Sequence, residues 1–311
     1  MTNKNQVLQL FTPIYDEFML STYKEDSQVS PKIFEQIVDK TSEYKVDDLG
    51  GLGEWEAADE GTGGQYEDVV LGYPTTLTQV KYRKRFAVSF EAVDQDEYAL
   101  LNKVSDAKNM GRGARAKIEK LCAAIIYGGF STAGSDGQYW FDTDHDKNRE
   151  ETGTDYSNLL GGPFSHDNLE LAEKQIADNF KGPDGIMIEV SDSPTLLYPP
   201  ALNGPVLRVL SDRAEYRPGP KDANQSEMEI NQFAGRYNPL LWKYLSNAAG
   251  GSDTAWYVIF PELGYLKAVW SAKPHYRSWI QEDEELYVFS GRMLGAFGAT
   301  NWRFGFASTG K

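Results

Sequence analysis

Residues 66–129 read YEDVVLGYPTTLTQVKYRKRFAVSFEAVDQDEYALLNKVSDAKNMGRGARAKIEKLCAAIIYGG, a patterned strand run leading straight into a long helix. In TQVKYRKRFAVSF, Val80, Tyr82, Lys84, Phe86, Val88 and Phe90 alternate with Lys81, Arg83, Arg85, Ala87 and Ser89, the period of two of a strand. Gly72, Tyr73 and Pro74 give a turn signal after YEDVVL, so the pattern predicts an antiparallel hairpin with a basic middle. A lone two-stranded hairpin is marginal in water. This one therefore needs a supporting surface, and a second subunit is the expected one.

The helix is delimited at both ends. Asp94 and Glu97 have capping-box spacing, and Gly128 with Gly129 offers a left-handed stop. Leu101, Val104, Ala107, Ala114, Ile118, Leu121 and Ile125 form the expected apolar stripe. Gly111 and Gly113 each weaken a helix by about 1 kcal/mol relative to Ala, which marks this turn for a bend or a close helix approach. GRGARA is no dinucleotide fingerprint, because that motif must follow a strand and open a helix.

This order of elements, an N-terminal arm, a basic extended hairpin, a long helix and a β-rich remainder, resembles the major capsid protein of tailed double-stranded DNA bacteriophages, the HK97 fold. Three further segments are similar to that family. GIMIEVSDSPTLLYPPAL, with Pro199 and Pro200, resembles the entry to the capsomer-centre domain; AWYVIFPELGYLKAVW resembles consecutive strands within it; LYVFSGRMLGAFGATNWRFGFAST resembles the closing strands. The resemblance implies an α+β subunit with five parts: an N-terminal arm (1–50), an extended hairpin or E-loop with its lead-in (51–93), a peripheral domain with spine helix 95–127 (94–194), an axial domain (195–281) and closing strands (282–311). It implies self-assembly into hexamers and pentamers of an icosahedral head around double-stranded DNA. Separate scaffolding, portal and decoration proteins are possible partners under it. Some relatives link subunits covalently through a hairpin lysine and an asparagine before the closing strands; SWIQEDEELYVF has no asparagine, so a non-covalent shell is expected. An encapsulin-type nanocompartment on the same fold is the alternative, and a β-rich carbohydrate-binding protein or hydrolase is the alternative of another class.

Composition fits a shell better than a nucleic-acid reader. The 311 residues carry 31 basic and 46 acidic side chains, a net charge of −15, whereas proteins that grip nucleic acid are normally basic. An acidic wall repels phosphates and leaves enclosed DNA unbound. One cysteine, Cys122, excludes an intramolecular disulfide, and no basic or histidine cluster near it in sequence would activate its thiol. The N-terminus lacks a basic region followed by an apolar run, and the longest apolar run, residues 121–127, falls far short of the roughly 20 residues of a membrane span. Synthesis in the host cytoplasm and residence in the virion are expected, without a membrane.

The rest of the chain gives coarser signals. Residues 7–23 and 31–41 read as amphipathic helices of an arm that packs under a neighbour. Residues 50–64, GGLGEWEAADEGTGG, hold six glycines among Glu54, Glu56, Asp59 and Glu60 and read as a flexible lead. Ser165 starts a helix over 166–180.

Chemistry-bearing constellations are sparse, and no catalytic residue, cofactor or metal site is expected. Asp142, Asp144 and Asp146 begin like a calcium loop, but Lys147 stands where glycine is needed and Gly153 where a bidentate glutamate belongs. His145, His166 and His275 lie in no nucleophile motif. Trp242, Trp256, Trp270, Trp279 and Trp302 read as core and interface rather than a stacking platform. The candidate inter-subunit contacts are Lys81, Arg83, Lys84 and Arg85 against Glu282, Asp283, Glu284 and Glu285 of a neighbour.

Overall fold

A computed structural model describes the chain except residues 1–3, 24–27, 49, 52, 56, 58–67, 96–103, 154–155, 192, 212–214, 217–227 and 230. Its frame is a long hairpin of β11 (Leu266–Gln281) and β12 (Leu286–Ala299), closed at residues 282–285, where Glu285 takes a left-handed φ of 50°. On β11 lies β1 (Glu35–Val38) in parallel, and on β12 lies β4 (Val80–Ser89) antiparallel, giving the order β1-β11-β12-β4.

One face of this sheet carries α1 (Lys4–Tyr23) and the long helix α4 (Val104–Gly128). Tyr15 of α1 is buried edge-on against Phe289, ring centroids 4.9 Å apart, and Phe86 stacks on Phe289 at 5.0 Å. The helices cross where a Cβ on Gly111 would come within 2.5 Å of the Met19 carbonyl oxygen, so only glycine fits. This is the close approach that GRG signalled.

Beyond the frame a second sheet, β5-β13-β10-β6-β9, contains β5 (Leu159–Leu160), β6 (Thr195–Tyr198), β9 (Asn238–Leu241), β10 (Trp256–Ile259) and β13 (Gly305–Ser308). Its strands β6, β10 and β13 are buried along their whole length, and they meet α5 (His166–Asn179) and α6 (Asn203–Val209) in the main core. Ser165 caps α5 by accepting from the Asn168 N–H, as its position predicts. Trp242, Trp256, Trp270 and Trp302 are all core residues.

Several sequence expectations change. The basic strand does not pair with YEDVVL. Its partner is β12, in register from Ser89↔Leu286 to Val80↔Gly295, because Phe86, Val88 and Phe90 must be buried and only a sheet backed by α1 and α4 can cover them. The true two-stranded arm is β2 (Glu43–Val46) with β3 (Thr75–Thr78), extended by Gly72 N–H to Asp48 O at 2.7 Å and Gly50 N–H to Val70 O at 2.8 Å. Gly72–Pro74 is thus part of a strand run, and the reversal lies between Gly50 and Val70.

The helix expected over 31–41 is one turn, α2 (Ser30–Ile33), followed by β1, whose β-branched Ile37 and Val38 pair with Val269 and Trp270. The arm helix α1 packs on α4 and β11 of its own subunit. Asp94 lies inside a short α3 (Phe90–Gln95) instead of capping the long helix, and Glu97 and Leu101 fall outside the described residues. The buried stripe of α4 is Ala107, Met110, Ile118, Glu119, Cys122, Ala123 and Ile126, while Leu121 and Ile125 are half-buried. The phase is turned by one residue because α1 claims Gly111 and Trp242 claims Glu119. The sheets also cut across the 195–281 division: β11 belongs to the long-hairpin sheet, while β13 from the chain end joins the strands of residues 195–259. Two hairpin-related strands with a shared hydrogen-bond ladder cannot be parted into separate layers.

Candidate functional site

The arm is anchored at its root by a polar knot. Asn301 Nδ2 donates to Asp48 Oδ2 at 2.6 Å, and the Gly51 N–H donates to Asp184 Oδ2 at 3.0 Å. Arg303, buried under this root, donates to the Lys147 and Lys181 carbonyls and lies 4.4 Å over the Trp302 ring. Burial lowers the Arg303 pKa; burial raises that of Asp48, with the Arg303 charge and the Asn301 bond acting against the rise. Past the root, Trp55 is fully exposed at 101% and Val69 and Leu71 at about half.

The sheet splits the eight candidate contact residues. Gly291 faces α4, since a Cβ there would meet Met110, and Lys84 is its register partner; Lys84 and Tyr82 therefore point to the helix side. Lys81, Arg83 and Arg85 point to the opposite face, where the Arg85 guanidinium sits 5.3 Å over the Trp279 ring. Arg292 stands directly opposite Arg83 and His275 opposite Arg292, and Arg277 shares this face. Residues 80–89, 273–281 and 286–294 contain no acid, so a chain of net charge −15 presents a cationic sheet face. The acids sit together at the hairpin tip, where Glu282, Asp283, Glu284 and Glu285 are exposed and the Phe90 N–H donates to the Glu285 carbonyl. Among the described residues no ion pair joins the two groups within the subunit. They occupy one sheet, with Lys81–Arg85 displaced along β4 from the tip.

Between α1, α4, β4 and β12 opens a cavity of about 280 Å³. Met19, Met110, Met293 and Tyr82 make its apolar wall and Lys84 and Lys117 its charges, the Lys117 ammonium 5.3 Å over the Tyr82 ring; no acid is among its lining residues.

A sequence profile described as the Mu-like prophage major head subunit gpT matches residues 70–168, the return strand of the arm, β4, α4 and the loop beyond it. The whole chain matches the procapsid of bacteriophage JBD30 at a TM-score of 0.54 and 15% identity, over 99% of this chain and 77% of that one. The chain has the fold of tailed-phage capsid proteins, and residues 70–168 are similar to a phage major head subunit. The capsid of Ralstonia phage GP4 matches this chain at a TM-score of 0.56 and 12% identity, over 89% and 86% of the two chains. A virus-like particle from Pyrococcus furiosus matches at 0.52 and 12%, over 95% and 98%. The HK97-like fold read from the element order stands. A comparison with curated proteins finds no match.

The chemistry-bearing residues of the described chain serve the fold. His145 is wholly buried, its Nδ1 2.6 Å from Asp136 Oδ2, its Nε2 3.2 Å from Asn158 Oδ1, and its ring stacked on Trp302. The acidic loop is thus a folded strut beneath the arm root. Burial pushes the Cys122 thiol well up, away from the thiolate. Among the described residues no group of three or more His, Cys, Asp or Glu is placed to hold a metal, and no helix is long and apolar enough to cross a membrane. Sequence reading missed Glu119, which holds four donors in the core: the Val29 and Ser30 N–H groups, the Ser30 hydroxyl and Trp242 Nε1 at 2.7 Å. Its signal was a carboxylate in register with the buried helix face. It also missed Trp55, whose signal was an aromatic between two glutamates in a glycine-rich stretch.

Proposed function

We propose that copies of this chain assemble as hexamers and pentamers into the icosahedral head of a tailed phage, enclosing double-stranded DNA. The observation that carries the reading is the profile match over the return strand of the arm, β4 and α4. The work is mechanical rather than catalytic. The long hairpin and α4 make a rigid plate, the arm reaches beyond it, and many weak contacts sum over a closed lattice. The net charge of −15 leaves the enclosed DNA without specific binding. Scaffolding, portal and decoration proteins act as separate chains, and synthesis takes place in the host cytoplasm before residence in the virion.

Lys81, Arg83 and Arg85 meet Glu282–Glu285 of a neighbouring subunit. Support comes from the exposure of both groups and from the absence, among the described residues, of an ion pair to either within the subunit. Lys84, on the other face, belongs to the cavity instead. The function is tested by expressing the chain, alone and with its phage's scaffolding protein, and resolving the products by sedimentation. Closed shells are expected; a monomer that stays monomeric under both conditions contradicts it.

A further inference from the structure

The sheet face turned away from α1 and α4 crowds cations together without a counter-charge. Three strands meet there in register: Arg83 of β4 lies opposite Arg292 of β12, and Arg292 lies opposite His275 of β11. In the next row Arg85 and Arg277 flank Ser290. Like charges directly opposite on a sheet are destabilising, and residues 80–89, 273–281 and 286–294 bring no acid to offset them. Among the described residues, none of Arg83, Arg277 and Arg292 enters an ion pair. The Arg292 Nε is also buried without a hydrogen-bond acceptor, an uncompensated cost in the subunit. Its neighbours offer none: the Arg85 guanidinium lies over the Trp279 ring, and His275 Nδ1 is spent on the Lys273 carbonyl at 3.0 Å.

What this face lacks is an acceptor with several charged oxygens. Residues directly opposite on an antiparallel pair have Cβ atoms about 5 Å apart, so the forks of Arg83 and Arg292 can take different oxygens of one ion. A phosphate offers enough oxygens for both, whereas a carboxylate is used up by one bidentate fork. We infer that this face holds a phosphate-type oxyanion between Arg83 and Arg292, with Arg85 and Arg277 at its flank, and that the Arg292 guanidinium turns its Nε outward to take one oxygen. The ion comes either free or as the phosphodiester of a nucleic-acid backbone, bound without regard to sequence. Arg83 is shared with the contact between copies proposed above, but Arg277 and Arg292 are not. Failure of the site therefore leaves the assembly reading standing.

The test uses the full chain as the unassembled subunit. In titration calorimetry at pH 7, sodium phosphate should bind saturably against a background of sodium chloride at equal ionic strength, and it should raise the melting temperature where that chloride does not. Arg292→Leu should weaken phosphate binding at least tenfold. In chloride the same variant should melt at or above the wild-type temperature, because a cation facing Arg83 and a stranded donor are both removed. Arg277→Gln, at an exposed position, should weaken phosphate several-fold with an unchanged melt. A short fluorescein-labelled duplex DNA separates the two sources. Duplex binding that phosphate competes away and Arg292→Leu abolishes upholds the site with the nucleic-acid backbone as its ligand; phosphate binding without duplex binding upholds it with the free ion. Phosphate that acts no differently from chloride, or that binds Arg292→Leu and Arg277→Gln as tightly as wild type, overturns the site.

Discussion

At the scale of single residues, stability draws on one buried carboxylate, Glu119, and one half-buried carboxylate, Asp48, neither of them marked out in the sequence. Glu119 accepts from four donors on two segments, Val29–Ser30 and Trp242, so its loss strands several buried polar groups at once. Glu119→Ala should cost about 3 kcal/mol in denaturant unfolding of the free subunit, and a cost under about 1 kcal/mol contradicts this reading. Asp48 answers to pH. Burial raises its pKa in the folded chain, so the folded state holds the extra proton, and that contribution is whole below the ordinary value near 4 and declines as pH rises through the folded pKa. The stability difference between Asp48→Asn and wild type should therefore shift in favour of the variant as pH rises from about 3.5 to 7; a flat or opposite trend contradicts it. Glu119 escaped the sequence reading because a lone glutamate in a helix is ordinarily solvated, and only the fold brings the α2 start and Trp242 to it.

At the scale of elements, the strands and helices were legible where local pattern and tertiary demand agree. The α5 cap at Ser165 and the crossing at Gly111 are local signals, and each appears in the structure; α4 ends at Gly128, but neither Gly128 nor Gly129 takes the left-handed φ expected of the stop. Pairing was not legible: alternation in β4 says which residues share a face, but its ladder partner lies some two hundred residues away in β12. The phase of α4 was misjudged by one residue for a similar reason. Its correction gives a sharp contrast: Cys122→Asp, at a fully buried site, should abolish soluble expression, whereas Leu121→Asp, half-buried, should remain soluble with a lower melting point. Equal behaviour of the two variants would return the helix to the phase read from sequence. The arm gives a second test. The Val70 N–H already donates to the Gly51 carbonyl at 3.4 Å, so replacing residues 52–69 by Asn-Gly closes a tight hairpin. The shortened subunit should melt cooperatively like wild type and fail to assemble; loss of the cooperative melt would make the segment part of the core.

For the whole molecule, function follows from the distribution of surface chemistry rather than from any one site. A chain of net charge −15 carries a cationic sheet face and four exposed acids at the adjoining hairpin tip, the two groups that the proposed contact pairs between copies. Each exposed pair contributes only about 0–1 kcal/mol and is screened over about 8 Å at physiological salt, so the effect becomes visible only when repeated around a shell. Arg83→Glu with Arg85→Glu should weaken shells at 0.15 M salt, and Glu284→Lys with Glu285→Lys in the same chain should restore them in part; equal loss in both double variants and in the quadruple variant means that the segments do not meet. The resemblance read from element order was legible because the HK97-like frame is a matter of order and length, while the contacts between copies depend on faces that only folding defines. The central claim is assembly itself. Electron microscopy of the purified chain, expressed with its scaffolding protein, should show closed icosahedral particles with subunits in rings of six and five; a homogeneous population of monomers, or of open aggregates without such rings, would contradict it.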